Sequence, residues 1–315
     1  MITVITPMFN EEECISANIR KLSAAIDGIG EDWELIIVDD GSTDKSLEYA
    51  KSAMKEKKNI RILSYKPNRG RGYALRQGFS HAKGDIIITT ESDLSWGADI
   101  VRKLFYAINK SNYDIVIASP HKKGGGFVNV PFFRVLLTTV GNKILGRAFP
   151  GNLTMLSGMT RAYKREVIDS LELISDGKEI HPEIISKAYA LGFRATEIPA
   201  ILKWTGKRTG RRSTFDAKKL MFSHLMLGFN EGPLIILGSI GMSFMLIGII
   251  AAFYSFHLWL TESLSNHIPI VMFTLIMLSL GVQTLVFSFL AYQNRELRNE
   301  IFRMEGNLLK IRKGK

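Results

Sequence analysis

Two long stretches of this chain carry no charged side chain, and they restrict its possible folds more than any other feature. Residues 232–261 contain no Asp, Glu, Lys or Arg, and neither do residues 263–294. Each run exceeds the ~18–20 mainly apolar residues that take a helix across a hydrocarbon layer ~30 Å thick. A soluble domain rarely contains two such runs, so the sequence predicts membrane-crossing helices near residues 233–255 and 268–292. Lys203, Lys207, Arg208, Arg211, Arg212, Lys218 and Lys219 precede the first run. Arg295, Arg298, Arg303, Lys310, Arg312, Lys313 and Lys315 follow the second, whereas residues 256–267 hold no Lys or Arg. The positive-inside rule therefore places both basic ends in the cytoplasm and the connecting loop outside. Residues 1–6 lack a basic n-region and an h-region and read as a strand rather than a signal peptide. The expectation is an integral membrane protein with both termini, and the polar N-terminal part, on the cytoplasmic side.

The net charge of +11 gathers beside these runs. Anionic lipid headgroups and phosphate ligands account for that placement better than nucleic acid, so no nucleic-acid partner is expected. The single cysteine, Cys14, excludes an intrachain disulfide and fits a reducing compartment as a small buried hydrophobe.

The first half alternates two periods. Residues 2–6, 34–38, 60–65, 85–90 and 114–118 read as short apolar strands. Residues 11–26, 45–57, 72–81 and 99–110 read as helices, the first with Ile15, Ile19, Leu22 and Ile26 on one face. Strands alternating with helices imply an α/β fold with a mostly parallel sheet covered on both faces. Ligands of such sheets bind beyond the carboxyl ends of the strands. The unusual segments 7–11, 39–44 and 91–95 all fall at such ends.

The most chemically suggestive of these follows the glycine-bearing turn Asn68-Arg69-Gly70-Arg71-Gly72 and a helix. The apolar strand after them ends in Glu91-Ser92-Asp93. Carboxylates at i and i+2 share a face of a straight strand and can converge on one cation at a frayed end. Hard oxygen ligands of this kind suit Mg²⁺ or Mn²⁺, which accept a diphosphate as co-ligand. Further on, residues 131–149 mix apolar side chains with Arg134, Lys143 and Arg147, as a helix at a membrane surface or a core-facing surface helix would. Residues 215–230 form a second such candidate. The charged tail, with Leu297, Ile301, Met304, Leu308 and Ile311 on one helical face, could pack on the N-terminal domain, on another subunit or on lipid. The expected organisation is a cytoplasmic domain at 1–214, an amphipathic juxtamembrane helix at 215–232, two spans within 233–292 and a basic tail helix at 293–315. A homo-oligomer fits this layout.

Five motifs in order, Pro7-Met8-Phe9-Asn10-Glu11, Val38-Asp39-Asp40-Gly41-Ser42-Thr43-Asp44, Asn68-Arg69-Gly70-Arg71-Gly72-Tyr73-Ala74, Ala82-Lys83-Gly84-Asp85 and Glu91-Ser92-Asp93-Leu94, resemble those of family 2 glycosyltransferases. Over residues 2–213 the chain looks most like the polyprenyl-phosphate glycosyltransferases, the group of the dolichol-phosphate mannose synthases, in its membrane-anchored branch. That resemblance implies a GT-A type, Rossmann-like fold and a nucleotide-sugar donor, UDP- or GDP-linked. It implies that Pro7, Phe9, Glu11, Asp39, Asp40, Gly70, Arg71 and Ser92 bind the donor. Asp93 would hold Mg²⁺ or Mn²⁺ directly, Glu91 directly or through water, with Ser95 at the rim. Lys123, Arg134, Glu183, Lys207, Arg208, Arg211 and Ser213 would serve the acceptor, a polyprenyl (dolichyl or undecaprenyl) phosphate. Asp93, Arg134 and Arg208 would be the catalytic set.

The implied chemistry is one inverting displacement. A phosphate monoester is largely a dianion at neutral pH, so it can attack an anomeric carbon without a strong general base. Positioning and electrostatics then carry the reaction. Three positions depart from the family pattern: Glu91 stands where Asp is usual, Pro120 where an Arg is common, and Met155 near a usual Asp. Two other readings stay open on the sequence: an enzyme that extends a lipid-linked glycan or polysaccharide, and a non-catalytic scaffold that binds a nucleotide sugar.

Overall fold

The computed structural model describes residues 1–54, 57–132, 135–136, 138–139, 153–204, 233–261 and 268–313. Its centre is a seven-stranded sheet built from β1 (Ile2–Met8), β2 (Trp33–Asp39), β3 (Ile60–Ser64), β4 (Ile86–Thr89), β5 (Ile115–Ser119), β7 (Arg161–Lys164) and β8 (Ala195–Pro199). The order is β3-β2-β1-β4-β7-β5-β8, and only β7 runs antiparallel to its neighbours. A separate parallel pair joins β6 (Gly126–Val128) to β9 (Ile201–Lys203).

Every residue of β2 is buried, as its near-continuous apolar run requires of a strand covered on both faces. Helices α1 (Ile15–Asp27), α2 (Ser46–Met54) and α4 (Ile100–Lys110) contribute to one core cluster, with Ile19, Ala50 and Leu104. Helices α3 (Arg71–His81), α5 (Arg165–Asp169) and α6 (Ile180–Ala190) contribute to the other, with Leu75, Val167 and Ile184. Helix α1 starts at Ile15, the first residue of its apolar face, four residues after the start expected at residue 11. Asn10 turns the chain with φ 52°, and the Glu11 carbonyl then accepts from the amides of Cys14 and Ile15. The motif around Gly84 serves this framework. A Cβ there would sit 2.5 Å from the Thr3 amide nitrogen, and the Thr3 hydroxyl accepts from the Gly84 amide at 2.8 Å while donating to buried Glu34.

Two further helices follow, α7 (Pro233–Thr261) and α8 (Ile268–Lys313), and both are long and apolar enough to cross a membrane. They pack through small residues. A Cβ at Gly248 would approach Leu278 to 2.7 Å, and one at Gly281 would approach Met245 to 2.7 Å. Glycines let helix backbones close together where lipid offers no hydrophobic drive for association. Their outer faces, such as Phe253 and Phe287, stay exposed. Helix α8 continues without a break from the second apolar run into the charged tail.

Candidate active site

The carboxyl ends of β1, β2 and β4 open into a cleft of about 350 Å³. Pro7, Met8, Phe9, Glu11, Asp40, Asn68, Gly70, Arg71, Glu91, Ser92, Asp93, Met159, Gly177 and Lys178 line it.

Asp40 organises one wall. Its buried carboxylate accepts from the Tyr65 hydroxyl at 2.9 Å, the Asn68 amide side chain at 2.9 Å, the Arg69 amide at 2.8 Å and the Gly70 amide at 3.0 Å. Burial first, and then this carboxylate, push the Tyr65 phenol far above its ordinary range, so it stays a donor. Gly70 has φ 103°, a conformation that favours glycine, and it begins the turn into α3. Asp39 is placed differently. It is fully buried off the cleft, and its carboxylate accepts from the Ser42 amide at 3.1 Å and the Ser64 hydroxyl at 2.8 Å.

The acidic turn after β4 forms a second wall. Asp93 is partly exposed and accepts from the Ser95 amide at 2.9 Å. Glu91 accepts from the Ser95 hydroxyl at 2.6 Å and the Trp96 indole at 3.1 Å, and its other oxygen lies 3.8 Å from Arg71. The Ser95 hydroxyl proton is thus directed at Glu91. Leu94 has φ 52°, unusual for a bulky residue, and such strain is a mark of functional turns. Asn18 fixes the turn from below by donating to the Ser92 carbonyl at 2.9 Å.

The lining side chains include four carboxylates, Glu11, Asp40, Glu91 and Asp93, and two cations, Arg71 and Lys178. This acidic excess would repel an anionic ligand unless a cation came with it. Among the described residues no group of three or more His, Cys, Asp or Glu forms a complete metal cage. Glu91 and Asp93 are a hard-oxygen pair that fits Mg²⁺ or Mn²⁺ only if water or ligand oxygens complete the shell.

A strap of residues 172–178 closes the third side. Gly72 and Tyr73 donate their amides to the Asp176 carbonyl at 2.7 and 3.1 Å, and the Asp176 carboxylate pairs with Arg69 and Arg76. A Cβ at Gly72 would lie 2.4 Å from the Ser175 carbonyl oxygen. Glu183 holds the strap from behind, accepting from the amides of Ile174 and Ser175 at 3.0 Å each. Burial pushes its carboxyl up, but the bonds from Ser175, Ile174 and Lys187 outweigh this and hold it below the ordinary range. Of the remaining acceptor-side candidates, Lys123 is exposed and off the cleft. Arg134, Lys207, Arg208, Arg211 and Ser213 lie outside the described residues.

Several contributors went unread in the sequence. Lys178, Gly177 and Met159 reach the cleft from distant segments, and no local pattern marks them. Asn18 could have been found, because it interrupts the apolar face formed by Ile15, Ile19 and Leu22. Met155 and Thr154 present their amides to Glu197 at 2.7 Å each, so this carboxylate anchors the loop before β7.

His181 sits inside this framework with neither ring nitrogen hydrogen-bonded among the described residues, while its carbonyl accepts from buried Arg161 at 2.9 Å. Burial, and then the charges of Arg161, Arg71 and Lys178, hold its pKa well below the ordinary 6.5. Burial lowers His121 as well. Unfolded histidine takes up a proton as pH falls through ~6.5, while these buried rings stay neutral. Their contribution to stability is therefore complete above ~6.5 and is lost as pH falls through the depressed native values. Thermal melts should show Tm dropping as pH falls below ~6.5, and His181→Gln should flatten that slope; an unchanged slope would contradict the assignment.

Residues 3–172 match the model of the family described as glycosyl transferase family 2. Curated relatives include the undecaprenyl-phosphate 4-deoxy-4-formamido-L-arabinose transferases of Salmonella paratyphi A and Salmonella dublin. Each is 30% identical over 200 residues, covering 63% of this chain and 58% of the relative. The chain thus spans little more than half the length of those relatives. Among solved structures, glucosyl-3-phosphoglycerate synthase from Mycobacterium tuberculosis in complex with Mn²⁺, UDP and glucosyl-3-phosphoglycerate superimposes with TM-score 0.55 at 21% identity. That match covers 72% of this chain and 79% of the other. The same synthase in complex with phosphoglyceric acid gives TM-score 0.56 at 20% identity, covering 73% and 79%. These likenesses establish a GT-A-like fold, with the two apolar helices appended to it.

Proposed function

The chain belongs to glycosyl transferase family 2, and from that membership we propose that it moves a sugar from a nucleotide-sugar donor onto a polyprenyl phosphate at a membrane surface. The observation that carries this reading is the acidic turn, with Glu91 facing Arg71 and Asp93 lining the same cleft at the strand ends. The two long apolar helices and the undecaprenyl-phosphate substrates in the names of the Salmonella relatives support a lipid acceptor.

In this reading the base and ribose lie against Pro7, Phe9 and Glu11, and the diphosphate lies between Arg71, Lys178 and the acidic turn. Asp40 acts through the turn at Asn68–Gly70. Glu91 and Asp93 would hold Mg²⁺ or Mn²⁺, which supplies neutralisation of the departing diphosphate when bound. An acceptor phosphate oxygen forms the new bond to the anomeric carbon as the bond to the donor diphosphate breaks, and the nucleoside diphosphate leaves with the electron pair. The acceptor oxygen is already ionised, so no protein base is required, and the configuration inverts. Arg134, Lys207, Arg208, Arg211 and Ser213, with Lys123, supply the donors that an acceptor phosphate needs.

The test is incubation of the purified full chain with undecaprenyl or dolichyl phosphate, Mg²⁺ or Mn²⁺, and labelled UDP- and GDP-sugars. Label in an acid-labile lipid fraction is the expected result. Label found only in an added glycan, or none with any donor, would overturn the reading.

A further inference from the structure

Helix α8 does more than follow the sheet domain: its last turns touch that domain on the side of the strap. Arg303 donates to the Ala190 carbonyl at the end of α6 at 2.7 Å. Phe302 lies under Lys187, whose ammonium is 4.9 Å from the ring centroid. Gly306 is buried so closely against Leu191 that a Cβ would meet its side chain at 2.6 Å.

Lys187 is the pivot. Its side chain is only 7% exposed, and its ammonium pairs with Glu183 at 2.9 Å and also donates to the Glu172 carbonyl. Glu183 in turn holds the amides of Ile174 and Ser175. Beyond them Asp176 receives the amides that open α3, and Gly177 and Lys178 line the cleft. An unbroken series of contacts therefore runs from α8 through Lys187, Glu183 and residues 172–176 to the cleft wall. A buried ion pair of this kind fixes geometry more than it stabilises, because its Coulomb gain is largely offset by desolvation.

We propose that the C-terminal end of α8 is a strut that sets the strap of residues 172–178 against the donor cleft, with Lys187 and Glu183 as positioning residues and Lys178 as a contact for the donor's diphosphate. The proposal rests on the donor reading given above. It makes donor affinity depend on where a membrane-continuous helix holds the domain, so the lipid-facing part of the protein and its nucleotide site are coupled.

The experiment uses the full chain in vesicles of phosphatidylethanolamine and phosphatidylglycerol, comparing it with Phe302→Ala/Arg303→Ala, Lys187→Met and Lys187→Arg. Amide exchange over residues 172–178 and the Kd for UDP and GDP with Mn²⁺ are read on each. Coupling of this kind spans about two- to thirtyfold. The double variant is expected to raise strap exchange and to weaken nucleotide binding about five- to tenfold. In turnover it should raise donor KM while kcat at saturating donor is retained. Lys187→Met should act in the same direction, and Lys187→Arg should recover part of the loss. Unchanged strap exchange in the double variant overturns the strut. Raised exchange with unchanged nucleotide affinity overturns the link to the cleft. If the wild-type chain binds neither nucleotide, the donor reading fails by itself and the strut is judged on exchange alone.

Discussion

Asp93→Ala is expected to lower kcat for sugar transfer by about a thousandfold, equivalent to ~4 kcal/mol of transition-state stabilisation. Asp93 is a partly exposed carboxylate whose described hydrogen bond comes from the amide of Ser95, two residues away in the same turn. Its removal leaves no buried charge without a partner, so circular dichroism and Tm should stay close to those of the parent chain. Glu91 cannot substitute fully, because one of its oxygens is occupied by Ser95 and Trp96 and the other faces Arg71. Asp93→Asn should be nearly as damaging, since an amide keeps the shape but loses the charge that a divalent cation needs. Initial-rate measurements over a range of Mn²⁺ concentrations check this; activity within tenfold of the parent would contradict it.

Asp40→Ala should fail in a different way, through the architecture of the donor wall. The substitution leaves the Tyr65 hydroxyl and the amides of Arg69 and Gly70 without their shared acceptor, while the Asn68 side chain keeps its bond to the backbone carbonyl of residue 40 at 2.8 Å. Each buried donor stripped of its partner costs about 1–3 kcal/mol, and water entering this half-buried turn recovers part of that. A loss of about 3–5 kcal/mol in unfolding free energy is expected, with donor affinity reduced more than tenfold. Asp40→Asn should lie between, because it retains an acceptor oxygen but no longer offers charge to all four donors. Denaturant unfolding and nucleotide binding measured on the same samples separate the two effects. Wild-type stability in Asp40→Ala would show that the turn is held elsewhere.

Much of this architecture is legible in the sequence because local physics decides it. The apolar run at β2 is long enough to be a strand and too apolar for an exposed one, and the described parts of both uncharged runs, from Pro233 to Thr261 and from Ile268 onward, are helical. The acidic ends of β1, β2 and β4 come together because parallel strands share a direction, which strand–helix alternation already implies. What stays hidden depends on long-range contacts. β7 carries Arg161 and Tyr163, fully buried between β4 and β5, and nothing in Arg-Ala-Tyr-Lys announces an antiparallel insertion. The family resemblance assigns Glu183 to the acceptor, whereas in the structure its oxygens go to Ile174, Ser175 and Lys187. The strap reaches α3 from a hundred residues away, through the Asp176 backbone carbonyl, which any residue could supply, and through its carboxylate on Arg76, whose partner no local pattern names. Asp39 and Asp40 differ in fate because alternate side chains of a strand end face opposite ways. Identity alone does not say which of the two meets the cleft.

The most direct measurement is a Mn²⁺ titration by electron paramagnetic resonance, on the full chain and on Asp93→Ala, with and without UDP and GDP. The account predicts that a nucleoside diphosphate tightens Mn²⁺ binding to the full chain and that Asp93→Ala abolishes this mutual enhancement. Equal Mn²⁺ binding with and without nucleotide, or an enhancement that survives in Asp93→Ala, would contradict it.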